Sequence, residues 1–356
     1  MKVLHFFPQT LTADGGPALS VRGWARGMAR AGAEVSVACA GGNMAGTQEG
    51  VTFRSVALRA RHSLQYPSGL RELLPGHDVL FLHSGWTPYN LWGAKLARRA
   101  GVPYVLVPHG AYEPDVLARS RATKLLWRTT SERTVIEGAS AVHIFFEQEQ
   151  RNISAVGAEC PVLVAPNAVD VPLDRSWDGG SGGYLLWIGR YDIHHKGLDI
   201  LIDAFSSLPT PRPPLVMRGT GEQGRAELER YAEKRGVHDV LIEGPVEGDD
   251  KWDHFCRARA FAFASRYDSH SIAIMEAAAL GVPIAAADNT YVGEFLASQG
   301  AAAGAPAEPD AFARALADVL SENGISYGAT AGYLVRSSVS WESSARNLLG
   351  QLEAVL

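Results

Sequence analysis

Asp268 and Glu276 stand eight positions apart in Ser265-Arg-Tyr-Asp268-Ser-His270-Ser271-Ile272-Ala-Ile-Met-Glu276-Ala-Ala-Ala-Leu-Gly281-Val-Pro283. Apolar residues 260–264 read as a short buried strand, Ile272 to Leu280 as a helix, and Gly281 as its stop. One acid therefore falls in the loop before the helix and the other inside its first turns. Between them the helix start offers unpaired N–H groups and the positive end of its dipole, an anion site. Two carboxylates beside an anion site suit a sugar nucleotide, with phosphate on the amides, ribose on one acid and sugar on the other. A second cluster, Gly189-Arg190-Tyr-Asp-Ile-His-His-Lys196-Gly197, follows a strand and precedes a helix. Its two cations can clamp a diphosphate, Arg190 through its planar fork and Lys196 as a point charge. Alone, that loop reads equally well as a solvated turn. Together with the two acids, it reads as a site.

Other candidates are weaker. Pro108-His109-Gly110 puts a histidine just past a strand end, where ligands of open α/β sheets bind, and His83 ends the preceding strand in the same way. Gly15-Gly16 lets the backbone approach a ligand near a helix start, although it is not a Gly-x-Gly-x-x-Gly fingerprint. Gly219-Thr-Gly221 reads as a structural turn. His194-His195 suggests no metal, because adjacent side chains point apart and no third ligand is apparent. No Asp-x-Asp triplet occurs to hold a divalent cation, so neither a metal nor a cofactor is expected. Arg121, Lys124 and Arg128 share one helical face. A solvated face is the commoner explanation, and peripheral contact with an anionic membrane or a lipid-diphosphate acceptor is the alternative.

The elements that must position these residues follow from the pattern of apolar runs. Strands are expected at 3–7, 35–40, 51–58, 79–83, 104–107, 141–146 and 162–165, with helices over 18–31, 88–99 and 115–137. Residues 172–183 read as an exposed linker. A second half then repeats the alternation, with strands at 184–188, 215–218, 240–243, 260–264 and 282–287. Its helices are expected at 198–207, 222–235, 272–280 and 310–321, and a terminal helix at 341–356. Alternation at this spacing predicts an α/β fold of two doubly wound, Rossmann-like domains, with ligands outside the carboxyl ends of the strands and the site in the cleft between the halves. The chain has 356 residues, 46% of them hydrophobic, enough for two cores. A net charge of −5 argues against nucleic acid as a partner. Three scattered cysteines and no long apolar run lead to the expectation of a soluble, cytoplasmic protein.

With these residues in view, the chain resembles the retaining glycosyltransferases of family 4, which have the GT-B fold. Asp268 and Glu276 look like the family's Glu-x7-Glu element, followed by Ala277-Ala-Ala-Leu-Gly281-Val-Pro283. Gly189-Arg190 and Lys196-Gly197 match its Gly-Arg…Lys-Gly element, Asn167-Ala168-Val169-Asp170 its hinge, and Gly15-Gly16 and His109-Gly110 its first-domain motifs. The resemblance implies an acceptor domain at 1–170, a nucleotide-sugar domain at 171–335, and a C-terminal helix at 336–356 packing back on the first. It implies transfer from a nucleotide-diphosphate sugar, UDP rather than GDP by preference, to a hydroxyl of a glycan, lipid-linked or small-molecule acceptor, with retention and without metal. The runner-up readings are a natural-product glycosyltransferase and a nucleotide-sugar-binding protein without transfer activity. By the resemblance, Arg190 and Lys196 neutralise the diphosphate, and Ser271 and Ile272 offer it backbone N–H groups. Glu276 holds the ribose, Asp268 the sugar, and His109 the sugar near its anomeric centre, while Gly16 allows close approach. His83 and Tyr112 are acceptor candidates. This chain departs from the family in the shorter Asp268, in His270-Ser271 for Phe-Gly, and in Phe145-Phe146 for Thr-Ser.

Overall fold

The structure is a computed structural model that describes residues 1–11, 16–41, 45–61, 64–118, 131–268, 271–338 and 340–356. It divides into two compact units, Met1–Ala168 with Val339–Leu356, and Val169–Ser338.

In the first unit the described strands are β1 (Lys2–Phe7), β2 (Glu34–Ala40), β3 (Gly46–Gln48), β4 (Val51–Arg61), β5 (Leu64–Ser68), β6 (Val79–His83), β7 (Tyr104–Val107), β8 (Ala141–Ile144) and β9 (Val162–Val164). Their order is β3-β4-β2-β1-β6-β7-β8-β9, with β5 paired to β4. The middle of the sheet is parallel, and β3 and β5 add antiparallel partners to β4. The strand order reverses between β1 and β6, both buried through their apolar runs. One core layer packs the helix Gly16–Arg30 and the terminal helix Trp341–Glu353 on the sheet, through Trp24, Met28, Trp341 and Leu348. The other packs Pro88–Ala100 and Arg133–Glu137 against Leu80, Leu82, Leu106 and Ile144. Thr87 caps the helix Pro88–Ala100, and Gly101 in the left-handed region ends it.

The second unit has β10 (Leu185–Arg190), β11 (Leu215–Thr220), β12 (Val240–Glu243), β13 (Ala260–Phe263), β14 (Ile284–Ala287) and β15 (Ala303–Ala305). Their order is β12-β11-β10-β13-β14-β15, all parallel. Counted from β10, this is the 3-2-1-4-5-6 order of a Rossmann sheet, with its reversal between β10 and β13. Helices Leu198–Ser206 and Pro309–Val319 bury Leu201, Phe205, Phe312 and Leu316 against it.

Several expectations are corrected. The stretch 172–183 is not a free linker. Trp177 donates from its backbone to the Leu280 carbonyl at 2.8 Å and from Nε1 to the Ala258 carbonyl at 2.7 Å, and Gly180 is packed against Arg259. Helices Gly248–Arg257, Tyr291–Ser298 and Asn323–Ser338, and the strands β3, β5 and β15, were not anticipated. Of the helix expected over 115–137, the described parts are Pro114–Ala118 and Arg133–Glu137. Among the described residues, no helix is long and apolar enough to cross a membrane.

Candidate functional site

The carboxyl ends of β10 and β13 flank the reversal point of the second sheet, and two of the sequence candidates, Lys196 and Asp268, meet there. Arg190 is the last residue of β10, paired with Thr220 of β11, so it belongs to the strand rather than to the loop. Asp192 then caps the short helix Ile193–Lys196 by accepting from the His195 amide at 3.0 Å. Gly197 follows with φ +59, at a place where an added Cβ would run into the Ala264 carbonyl. Only glycine meets both demands, and its fit brings the loop after β10 against the loop after β13.

The result is a pair. Lys196 Nζ lies 2.5 Å from Asp268 Oδ2, with side chains 16% and 10% exposed. Arg266 braces the same junction, donating to both carboxylate oxygens of Asp199 at 2.8 and 2.7 Å and to the His194 carbonyl at 3.0 Å. His195 stacks on Tyr267 with ring centroids 4.3 Å apart, and burial pushes it down to about 4, so it is a neutral packing ring at pH 7. Arg190 stays largely exposed, 3.6 Å from Asp192.

Beyond Asp268, Ser271 precedes the helix Ile272–Leu280 in extended conformation, and its side chain makes no capping bond. The Ser271 side chain therefore does not compete for the first N–H groups of that helix. Glu276 is buried, and its Oε1 accepts from Lys251 Nζ at 2.6 Å. Its other oxygen, Oε2, is buried without a hydrogen-bond partner. Burial pushes the Glu276 carboxyl up, and the Lys251 charge and hydrogen bond oppose that rise. A buried acceptor left open beside a charge-paired one is suited to a ligand hydroxyl.

Lys251, on the helix Gly248–Arg257, joins the candidate site through Glu276 and was not among the sequence candidates. Its one signal is a lone cation after Asp249-Asp250, indistinguishable from an ordinary solvated helix face.

In the first unit, His109 follows β7 with φ +51, and Ser84 and Trp86 after β6 also have positive φ. Three non-glycine residues in the left-handed region at adjacent strand ends mark a backbone held by its surroundings. Trp86 Nε1 donates to the Ala111 carbonyl at 2.7 Å, and its amide donates to Glu132 Oε1 at 3.0 Å. The acceptor candidates are corrected here. Tyr112 is buried and donates to Glu132 Oε1 at 2.5 Å, so it holds the loop together and has no face for a ligand. His83 is 1% exposed and is bonded on both ring nitrogens, to His5 and to His109. Only His109 of this set is half-exposed. Gly16 opens the helix Gly16–Arg30 with clear space around its Cα. Gly15, His270, Arg121, Lys124 and Arg128 lie outside the described residues.

Two Rossmann-like α/β domains in one chain are the architecture of the GT-B fold of glycosyltransferases. Two family models match the chain, a glycosyl transferase 4-like domain over residues 15–168 and glycosyl transferases group 1 over residues 182–322. The chain belongs to this glycosyltransferase family. It is similar to the D-inositol 3-phosphate glycosyltransferase of Actinosynnema mirum, 30% identical over 239 residues, a match that spans 60% of this chain and 57% of that protein. The fold is shared with sucrose-phosphate synthase from Thermosynechococcus elongatus, at TM-score 0.78 and 19% identity over 99% of this chain and 98% of the other. It is shared equally with HepE from Anabaena, solved in complex with UDP-glucose, at TM-score 0.79 and 17% identity over 99% and 100% of the two chains.

Proposed function

We propose that the protein transfers a sugar from a nucleotide-diphosphate sugar, preferentially a UDP-sugar, to a hydroxyl acceptor, with retention of anomeric configuration. The observation that carries this reading is the group at the β10/β13 switch point. Lys196 and Asp268 are in contact there, beside an uncapped helix start, and Glu276 keeps one buried carboxylate oxygen open.

In this reading Arg190 and Lys196 meet the diphosphate, the Ser271 and Ile272 amides complete its cradle, and Glu276 Oε2 accepts from a ribose hydroxyl. Asp268 is assigned to hydroxyls of the donor sugar and His109 to the sugar near its anomeric carbon. Departure of the nucleoside diphosphate leaves charge on the leaving phosphate oxygens. Fixed cations and amide dipoles stabilise that charge without reorganising. The same leaving oxygen can take the acceptor's proton as the new glycosidic bond forms on the face the nucleotide leaves, which preserves configuration. Arg190 and Lys196 carry the charge that a divalent cation supplies in metal-dependent transferases, so a metal-independent reaction is proposed. The acceptor is proposed to be a glycan, lipid-linked or small-molecule hydroxyl.

A donor screen read by mass spectrometry tests the reading directly. Donor hydrolysis or transfer is expected with at least one UDP-sugar in the presence of a chelator. Arg190→Ala and Lys196→Ala should each lose about 10²–10³ in rate, the usual cost of removing one stabiliser of developing negative charge. Near-normal turnover in both variants removes the clamp, and no turnover of any nucleotide sugar by the intact protein leaves a binding protein.

A further inference from the structure

The loop after β6, Ser84-Gly85-Trp86-Thr87, stands beside the reversal point of the first sheet, between β1 and β6, where open α/β sheets receive their ligands. Ser84 and Trp86 have φ of +72 and +58, a region that a bulky side chain enters only when its surroundings impose it. Those surroundings are specific. Asn90 gives its amide hydrogens to the His83 and Ser84 carbonyls at 3.0 and 2.7 Å, and its own Oδ1 stays buried without a partner. The Trp86 amide donates to Glu132 Oε1 at 3.0 Å, and Tyr112 donates to the same oxygen. An added Cβ at Gly85 would meet the Ala111 Cβ at 2.8 Å and Glu132 Oε1 at 3.2 Å, so only glycine fits in the bend.

All of this holds a residue that is not itself buried. Asn90, Tyr112 and Glu132 are 1%, 2% and 1% exposed, whereas Trp86 is half-exposed. Its polar edge is used inward, with Nε1 donating to the Ala111 carbonyl at 2.7 Å, and Tyr112 meets the ring in a T-shaped contact at 5.5 Å. The ring is thereby fixed against the loop that follows β7, and what it shows to solvent is carbon and π surface with no donor left to give. Backbone strain that full burial does not offset marks a residue held for a ligand. The polar groups of the loop narrow the choice of ligand. Ser84 and Thr87 are both half-exposed, and among the described residues the Ser84 hydroxyl makes no hydrogen bond. An aliphatic chain lying along this loop would take that hydroxyl out of water with nothing to bond it. A pyranose has an apolar C–H face and a rim of hydroxyls, and so meets both kinds of group at once.

We infer that Trp86 is an acceptor-binding residue, a platform on which the C–H face of a pyranose ring stacks while the ring's hydroxyls bond to polar groups of the same loop. The inference deepens the proposed function, since it rests on transfer to a hydroxyl acceptor, and it narrows that acceptor to a sugar. Gly85 and Asn90 act through Trp86 and are positioning residues.

Indole nitrogen spectra of the full chain, labelled at its eight tryptophans and titrated with the methyl glycosides of glucose, mannose, galactose and N-acetylglucosamine, give the test. The Trp86 signal is assigned by its loss in Trp86→Phe. At least one glycoside is expected to shift that signal and to leave the other indoles unmoved. Saturation transferred from the protein to the same glycoside should fall mainly on the C–H protons of one ring face. Trp86→Leu should weaken its binding about tenfold, the scale of one aromatic contact, and Trp86→Phe should stay within about threefold of wild type. Cyclohexylmethanol, an apolar ring without the hydroxyl rim, should bind at least about tenfold more weakly than the glycoside, since it forgoes several hydrogen bonds. The inference is overturned if no glycoside moves the Trp86 signal, if the shifts fall on other indoles, or if cyclohexylmethanol binds as well as the sugar. The wild-type titration decides these points even if the leucine variant fails to fold. It uses neither nucleotide nor turnover, so the two readings fail separately. A glycoside seated on Trp86 in a protein that transfers nothing leaves a sugar-binding protein, and transfer without any Trp86 shift leaves a transferase whose acceptor binds elsewhere.

Discussion

Lys251 and Glu276 show how one pair can set a binding site's pH range. Burial raises the Glu276 carboxyl, and Lys251 Nζ at 2.6 Å holds that rise back. In the proposed reading a ribose hydroxyl bonds more strongly to the ionised oxygen than to a neutral carboxyl, so removal of the cation should matter through protonation rather than contact. In Lys251→Met, Glu276 rises further, and each unit of rise lowers the ionised fraction about tenfold at a pH below the new value. UDP affinity of the variant, measured by calorimetry from pH 7 to 9, is expected to be at least about tenfold weaker at pH 7 and to recover with rising pH. The wild type should vary far less. Stability follows the opposite sign. A carboxyl raised by folding favours the folded state below its unfolded pKa and loses that contribution as pH rises through the folded value, a window that Lys251→Met extends upward. Removing one partner of a buried pair typically costs about 3–5 kcal/mol. Parallel pH profiles for the two proteins would show that Lys251 acts only by packing over Trp252. This pair also shows where residue-level reading of the sequence stops. Asp268 and Glu276 were legible because their spacing around a helix start is a chemical pattern. Lys251 was not, because its partner is 25 residues away and only the fold brings them together. His5 is similar: the one polar residue in Val3-Leu4-His5-Phe6-Phe7 was visible, but its bond to His83 spans 78 residues.

At the scale of elements, packing between helices overrides local propensity in two places. The helix Asn323–Ser338 contains Gly324, Gly328 and Gly332, which by propensity argue against a helix. Gly328 and Gly332 lie against the backbone of Gly281 and Gly324 against that of Val319, where no Cβ would fit without displacement. The residues that hide this helix from sequence reading are those that let it pack. The antiparallel β5 escaped notice for a related reason, since Pro67 lies within it and it reads as a turn. Long apolar runs such as β1, β6 and β13 were readable because burial on both faces leaves a continuous hydrophobic signature. The second case is the seat of the terminal helix. Trp341 fills the space over Gly23 and Gly27 of the helix Gly16–Arg30 and meets Trp24 edge-on at 5.7 Å. Gly27→Ala in an exposed helix should stabilise by about 0.8–1.0 kcal/mol. Here the new Cβ strikes the Trp341 backbone, so the sign should reverse, and Trp341→Ala should cost about 3–5 kcal/mol as a buried large-to-small change. Denaturant unfolding followed by tryptophan fluorescence reads both. A stabilised Gly27→Ala variant would mean that the terminal helix is not fixed against this seat.

For the whole molecule, the chain divides its chemistry as it divides its contacts. Arg190, Lys196, Lys251, Asp268 and Glu276 all lie in Val169–Ser338, which has its own six-stranded sheet and core. His5, His83 and His109 lie in the other unit, whose core includes Trp341, Leu348 and Leu352 from the end of the chain. The second unit is continuous in sequence, whereas the first is assembled from both ends. The two should therefore behave differently when separated. The segment Val169–Ser338 is expected to fold alone and to bind UDP with a Kd within about threefold of the intact protein's, because every proposed phosphate and ribose contact travels with it. At a hundredfold excess over Kd, UDP should stabilise it by about 2.7 kcal/mol, a rise of roughly 5–10 °C in Tm for a unit of this size. It should neither transfer nor hydrolyse a sugar, since His109 is missing. Met1–Ala168 alone should be unstable, because Gly23 and Gly27 would face water where Trp341 belongs. A folded second-unit segment that UDP does not stabilise would place the nucleotide site outside the β10/β13 switch point and would overturn the assignment of Lys196 and Glu276 to the nucleotide.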